Sequence, residues 1–271
     1  MPELPEVETT CRGITPHIIG QTIHSVVIRQ PKLRWPISPG IKRLLPGQRI
    51  NQVSRRGKYL LLQTAIGTVI IHLGMSGSLR IVGQNDVAEK HDHVDFVFGK
   101  NRILRFRDPR RFGAVLWTSR SPYRHKLLSS LGPEPLDDGF NADVLFSISR
   151  NRKIAIKPFI MDSKIVVGVG NIYANEALFQ AGIRPTTPAG RISLARYQRL
   201  VTAIKTTLSE AIEAGGTTLR DFTNGEGKPG YFRQKLQVYG RAGENCTSCG
   251  TRIKLIQQAQ RATYYCTHCQ R

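Results

Sequence analysis

Apolar positions in the first twenty residues recur at helical spacing. Val7, Cys11 and Ile14 fall on one face, and Gly20 follows as a stop, which predicts a helix over residues 2–20. From residue 22 the period changes to that of strands. Residues 22–28, 59–62, 68–73, 79–82, 94–98 and 103–107 form short apolar or alternating runs. Thr64-Ala65-Ile66-Gly67 reads as a hairpin turn, and Lys100-Asn101 sits in another. Many short strands with close turns predict an antiparallel sandwich or barrel, interrupted by a short helix near residues 40–45. Gly132-Pro133-Glu134-Pro135 breaks the pattern. Beyond it the spacing is helical over 141–150, 156–162, 170–181, 193–214 and 217–221, as in a small helical bundle. The glycine-rich polar stretch 223–230 is expected to be a mobile loop. The expected organisation is a first domain over 1–131, a linker over 132–136, a helical domain over 137–235 and a cysteine module over 236–271.

Charge narrows the function. Forty Lys and Arg stand against nineteen Asp and Glu, a formal net charge of +21 over 271 residues. An excess spread over a globular chain, rather than confined to a tail, points to a polyanionic partner, nucleic acid first. A solubilising basic surface is the plainer reading. An acidic membrane is a weaker one, since no basic amphipathic helix stands out. No apolar run approaches the ~20 residues that span a bilayer. The N-terminus is acidic, unlike a secretory signal. An intracellular, cytoplasmic protein without membrane association is expected. Five cysteines then fit metal ligands plus one spare, Cys11, better than disulfides.

The strongest chemical signal is Cys246-x2-Cys249, then sixteen residues, then Cys266-x2-Cys269. Two such knuckles make a four-thiolate tetrahedral site for one structural zinc; a redox dithiol pair is the other use of the pattern. Four protein ligands leave no open position, and so small a module needs the metal to fold. Arg252, Lys254 and Gln260-Arg261-Ala262-Thr263 lie between the knuckles and read as a β-hairpin with a basic tip.

The chain starts Met-Pro-Glu-Leu-Pro-Glu-Val-Glu-Thr. If Met1 is removed, Pro2 presents a secondary amine, a nucleophile able to form a Schiff base with an aldehyde-like carbon. Glu3 stands beside it as a proton donor or acceptor. The same residues also make an ordinary helix start, and the two readings are compatible, because the positive end of a helix disfavours protonation of a nearby amine. Gly168-Val169-Gly170-Asn171-Ile172-Tyr173 precedes a helix and could offer backbone amides to a phosphate, with Lys157 and Lys164 on the approach; a plain glycine turn fits equally. Asp108-Pro109-Arg110-Arg111-Phe112-Gly113 puts two arginines and an aromatic on a turn that could read a groove or enter a base stack. His91-Asp92-His93, read as a charged loop, could reach a phosphate, hold a metal or form a hydrogen-bonded turn. Met75 between glycines suits an exposed wedge, although most methionines are core residues. Lys58 is either a surface lysine or a cation at the mouth of a site.

Together, Pro2–Thr9, Lys58, Gly74-Met75-Ser76-Gly77, His91-Asp92-His93, the Asp108–Gly113 turn, Val169–Tyr173 and the cysteine module with Arg261 resemble the bacterial formamidopyrimidine-DNA glycosylases. The resemblance runs from Pro2 to Cys269. It implies an α+β multidomain fold: an N-terminal antiparallel β-sandwich with flanking helices, then a C-terminal helical domain with a helix–two-turns–helix motif and a four-cysteine zinc-finger β-hairpin. It implies excision of oxidised purines, such as 8-oxoguanine and formamidopyrimidines, from damaged double-stranded DNA, followed by cleavage at the abasic site by β,δ-elimination. Residue by residue, Pro2 corresponds to the Schiff-base amine, and Glu3 to the acid that assists sugar opening. Lys58 corresponds to the proton donor in β-elimination, and Arg261 to the finger arginine assigned to δ-elimination. His91, Arg110 and Arg152 match DNA-contacting positions, with Arg152 standing where some members have lysine. Lys157 and Asn171 look like phosphate contacts. Met75, Arg110 and Phe112 look like the residues that fill the gap left by a flipped nucleotide, and residues 217–231 like the segment closing over the base. A monomer is expected. Two rivals remain: an endonuclease VIII-type enzyme for oxidised pyrimidines, and a non-enzymatic zinc-dependent DNA-binding protein. Only the N-terminus and Lys58 separate the last from an enzyme.

Overall fold

The computed structural model describes residues 2–99, 101–217 and 236–271. The segment expected as a mobile loop, the helix over 217–221 beyond Thr217, and Lys100 of the second turn lie outside the described residues. The chain divides into two units, Met1–Ser129 with Ile212–Arg233 and Ser130–Ala211 with Gln234–Arg271.

The first unit opens with helix α1 (Leu4–Ile18). Its apolar stripe, Val7, Cys11, Ile14 and Ile18, is buried, as the spacing requires. β1 (Ser25–Ile28) and the short α2 (Ile41–Leu44) follow. Then come β2 (Gln52–Arg56), β3 (Tyr59–Thr64), β4 (Gly67–His72), β5 (Ser78–Val82), β6 (Asp92–Phe98), β7 (Arg102–Arg107) and β8 (Ala114–Thr118). They form two four-stranded sheets, β1-β6-β7-β5 and β2-β3-β4-β8, with every pairing antiparallel. Thr64 pairs with Gly67 at the expected hairpin. One core takes Phe96, Leu104 and Phe106 from the first sheet, Leu60, Ile71 and Val115 from the second, and the α1 stripe. The architecture is therefore a sandwich.

Two strands escape the apolar pattern. β2 reads Gln-Val-Ser-Arg-Arg and is recruited by its register with β3, Gln52 opposite Gln63 through Arg56 opposite Tyr59. β8 is hidden behind the arginine-rich turn that leads into it. The His91-Asp92-His93 loop is also corrected: Asp92 and His93 belong to β6 and are buried. Asp92, Asp95 and Arg105 are charged yet inside, because they pair with one another and with Arg29, Arg80 and Arg107. Such burial is tolerated only where the charges find partners.

The second unit carries α3 (Ala142–Ser149), α4 (Ile156–Ile160), α5 (Asn171–Gln180) and most of α6 (Leu194–Glu213). Asn141 caps α3 by accepting the Val144 amide at 3.0 Å. The hairpin β9 (Lys254–Gln258) and β10 (Arg261–Tyr265) closes the chain. No helix among the described residues is long and apolar enough to cross a membrane.

Candidate active site and nucleic-acid interface

Pro2 and Glu3 are buried immediately ahead of α1. Glu3 is the N-cap, with Pro5 in the first turn. Glu3 and Glu6 form a capping box, in which Glu6 Oε2 accepts the Glu3 amide at 2.8 Å. Glu6 does more than cap. It is 1% exposed, and its other oxygen, Oε1, accepts the Thr217 amide at 2.8 Å. Gly216, at φ +84°, packs against it: a Cβ there would stand 3.3 Å from Glu6 Cγ. The carboxylate that fixes the chain start therefore also holds the backbone just before residue 218. This role was not foreseen, although Glu3 and Glu6 carry the three-residue spacing of a capping box.

Lys58 lies in the tight turn between β2 and β3, beside Gly57 at φ +55°. Next to it, the Tyr59 ring meets the His72 ring at 4.8 Å. Burial pushes His72 down to about 4, and the charges of Lys58 and Arg34 push the same way. A neutral His72 accepts the Gly74 amide on Nδ1 at 3.0 Å and so shapes the turn that carries Met75.

Met75 and Phe112 are 37% and 45% exposed, as a wedge requires, an exposure shared by other large apolar side chains such as Ile154 and Leu255. The structure brings their loops together. A Cβ on Gly74 would stand 2.5 Å from the Gly113 nitrogen, so the two backbones pack in direct contact. The Arg110 guanidinium lies over the Phe112 ring, 5.1 Å from its centroid. His91 is half-buried and borders a cavity of about 440 Å³ lined also by Arg29, Lys90, His93 and Arg111. His93 is held in place on that wall: its Nε2 donates to the Asp108 carbonyl at 2.8 Å.

In the second unit, Gly170 is the N-cap of α5 and Gly168 takes φ +89°. Asn171 opens the helix and donates through Nδ2 to the Ala262 carbonyl at 3.1 Å. Lys157 is 1% exposed, and its Nζ donates to the same carbonyl at 2.8 Å and to Thr263 Oγ1 at 2.7 Å. Asn175 adds a third tie by accepting the Tyr264 amide at 2.8 Å. Lys157, Asn171 and the hairpin beside Arg261 are thus one assembly. Spacing did not reveal this, because about ninety residues or more separate the partners. Arg152, Lys164 and Arg261 are exposed.

Backbone strain marks the same places. Among the described residues, the non-glycine residues with positive φ are Arg111, Asn151, Ala259 and Gln260, at 55°, 61°, 47° and 58°. They adjoin Arg110, Arg152 and Arg261. Such conformations cost of order 1 kcal/mol or more for most side chains and cluster at functional sites.

The four sulfurs of Cys246, Cys249, Cys266 and Cys269 all lie within 4.8 Å of one another. Cys246–Cys269 and Cys249–Cys266 stand 3.9 and 3.4 Å apart. Tetrahedral zinc with Zn–S of about 2.3 Å requires sulfurs roughly 3.8 Å apart, so the set fits that ion. Gly250, at φ +74°, makes the tight turn after the first knuckle, where its amide donates to the Cys246 carbonyl at 2.9 Å. The module buries only a small apolar cluster of Val238, Cys246, Ile253 and Cys266, too little to fold without a metal.

Three family models match the chain. They are the formamidopyrimidine-DNA glycosylase N-terminal domain over residues 1–115, the formamidopyrimidine-DNA glycosylase H2TH domain over 131–223, and a zinc finger found in FPG and IleRS over 243–271. Proteins named formamidopyrimidine-DNA glycosylase from Stutzerimonas stutzeri and Pseudomonas aeruginosa are each 58% identical over 271 residues, covering the whole of both chains. The MutM (FPG) protein of Thermus thermophilus has a crystal structure that superposes with a TM-score of 0.89 at 39% identity, over 99% of this chain and 98% of that one. A complex of the Lactococcus lactis Fpg with abasic-site DNA superposes at 0.92 with 33% identity over all of both chains. The four thiolates accordingly hold one structural zinc.

Proposed function

The chain belongs to the formamidopyrimidine-DNA glycosylase family, and from this we propose how its residues divide the work. The enzyme excises oxidised purines from DNA and acts as a lyase on the abasic site that results. Relatives have been crystallised with DNA containing Fapy-dG and with abasic DNA, and damaged duplex DNA is the partner here. It works as a monomer in the bacterial cytoplasm.

The mechanism starts with loss of Met1, which frees the Pro2 nitrogen. The position of that nitrogen, one residue ahead of the α1 N-cap, is the observation that carries this reading. The positive end of the helix disfavours its protonation. The amine attacks the sugar carbon of a flipped nucleotide, the damaged base departs, and an iminium links protein to DNA. Glu3, buried at the N-cap, supplies the proton that assists ring opening and base departure. Lys58 donates a proton in β-elimination, and Arg261 serves δ-elimination from the finger. His91, Arg110, Arg152 and Asn171 grip the phosphates, whereas Lys157, read from the sequence as a phosphate contact, is buried and seats the hairpin through Ala262 and Thr263. Met75, Arg110 and Phe112 occupy the vacated stack. Zinc, closed off by four thiolates, holds the hairpin that presents Arg261.

Borohydride trapping tests the scheme. Reduction of the iminium should tie mature protein covalently to 8-oxoguanine DNA. A glycine placed ahead of Pro2 should abolish the adduct while DNA binding persists; an undiminished adduct would overturn the assignment. Glu3→Gln is expected to slow excision; a wild-type rate would remove Glu3 from the chemistry. The Lactococcus lactis enzyme has also been crystallised with DNA carrying an oxidised pyrimidine, so a thymine glycol duplex belongs beside the 8-oxoguanine one, with the purine excised faster.

A further inference from the structure

We propose that Asp108 is a positioning residue for nucleotide flipping. Its buried carboxylate, acting through Ser76, couples the turn that carries Met75 to the loop that carries Arg110 and Phe112. The three side chains then enter the duplex as one preset wedge. This rests on the reading that those side chains fill the space of the flipped nucleotide.

Asp108 is fully buried. Its Oδ2 accepts the Gly113 amide at 2.7 Å, on its own loop. Its Oδ1 accepts the Ser76 hydroxyl at 2.9 Å, on the other loop. Ser76 Oγ in turn accepts the Arg110 amide at 3.2 Å. The relay has one sense only, since the serine's single proton is spent on the carboxylate and its lone pair is left for Arg110. The Asp108 main chain joins as well: its carbonyl accepts from His93 Nε2 at 2.8 Å and from the Arg111 amide at 3.2 Å, and its amide donates to the His91 carbonyl at 3.0 Å. One residue thus sets Met75, Arg110, Phe112 and His91 relative to each other.

A turn alone does not require this. The bond to Gly113 would suffice to close the loop between β7 and β8. The bond to Ser76 crosses to a separate loop, and it lies beside the contact where Gly74 and Gly113 meet backbone to backbone. A wedge needs such stiffness. Unstacking and extruding a nucleotide costs a few kcal/mol, and loops that yield under that load do not hold the duplex open. A carboxylate suits the position because both donors point at it. An amide in its place would either turn its NH2 toward the Gly113 amide, donor facing donor, or turn it toward Ser76, where the hydroxyl must then accept and its own proton loses the carboxylate.

The test compares Asp108→Asn and Ser76→Ala with Met75→Ala and Phe112→Ala. Three quantities are read: single-turnover excision of 8-oxoguanine from duplex, the emission of 2-aminopurine placed beside the lesion, and borohydride trapping on a single-stranded abasic oligonucleotide, which has no duplex gap to fill. Asp108→Asn is expected to lower duplex excision about tenfold or more and to weaken the 2-aminopurine signal, with single-stranded trapping kept within about twofold. Ser76→Ala, a smaller change, should give the same profile in milder form. If Met75→Ala and Phe112→Ala leave duplex excision and emission unchanged, the gap-filling reading itself fails. If those two lose both signals while Asp108→Asn and Ser76→Ala keep them, the positioning role is wrong. Equal loss of single-stranded trapping in both Asp108→Asn and Ser76→Ala would also overturn it, because the residues would then support the fold rather than the wedge.

Discussion

At the scale of single residues, the site holds its groups in chosen protonation states through burial. His72 is the clearest case. Its folded pKa is pushed to about 4, first by burial and then by Lys58 and Arg34, against the usual 6.5. The folded value lies below the unfolded one, so the stability linked to neutral His72 is complete above about pH 6.5 and is lost as pH falls toward 4. The linked free energy is on the order of 3 kcal/mol. His72→Asn keeps an acceptor for the Gly74 amide without titrating there. Urea unfolding followed from about pH 7 to 4.5 should therefore fall more steeply for the wild type than for the variant, and identical slopes would refute the shift. Burial likewise raises the Cys11 thiol to about 11, with the Glu8 charge assisting, so this spare cysteine should resist alkylation in the folded protein. Its place on the buried stripe of α1 was legible from helical spacing alone. The state of His72 was not, because nothing in Ile71-His72-Leu73 tells a buried neutral ring from an exposed one. Asp108 and Glu6 hid for a related reason: their partners lie 32 and 211 residues away.

At the scale of elements, the zinc hairpin is held by more than its metal. Lys157 from α4 and Asn171 from α5 both donate to Ala262, and Lys157 also satisfies Thr263. Lys157→Met would take this donor from the buried Thr263 hydroxyl and leave the Ala262 carbonyl to Asn171 alone, at a cost of about 1–3 kcal/mol. Zinc should then pass to a chelating dye several-fold faster than from the wild type; an unchanged rate would mean that the metal holds the hairpin without help from Lys157. The turn of the same hairpin places Ala259 and Gln260 at positive φ, the geometry that Asn-Gly adopts without strain. Ala259→Asn with Gln260→Gly is expected to stabilise the hairpin by about 1 kcal/mol, read as slower amide exchange at Thr263. Strain kept beside Arg261, where a relaxed turn was available, suggests that the turn is tuned to hold that arginine. The hairpin itself was legible, since two cysteine knuckles bracket it and each strand carries β-favouring residues. β2 and β8 were not. The first is polar and the second follows an arginine-rich turn, so register with β3 and β4, rather than local pattern, makes them strands. Burial of Asp92 misled for the same reason: its charge reads as that of a loop residue until its arginine partners are known.

At the scale of the whole molecule, a net charge of +21 does two jobs that salt separates. Diffuse charge draws the protein to any DNA and is screened within a Debye length of about 10 Å at 0.1 M salt. Cations that neutralise particular phosphates release counterions, and the logarithm of affinity then falls with the logarithm of salt by about 0.9 per phosphate. Arg152 and Arg261, exposed beside strained backbone, are the best candidates for the second kind. Replacing either by alanine should make the slope shallower by close to one unit on damaged and undamaged duplexes alike, because a phosphate carries no sequence. Met75→Ala should leave the slope as it is, since it removes no charge, and should weaken only the binding of DNA that must be unstacked. Binding titrations over about 50–300 mM salt with both duplexes read all three variants. An unchanged slope in both arginine variants would return the basic surplus to a solubilising surface and leave recognition to the wedge and the chain start. A loss shared between damaged and undamaged DNA would instead mean that grip precedes inspection: phosphates are held first, without regard to sequence, and the lesion is then selected by how readily its nucleotide leaves the stack for Pro2.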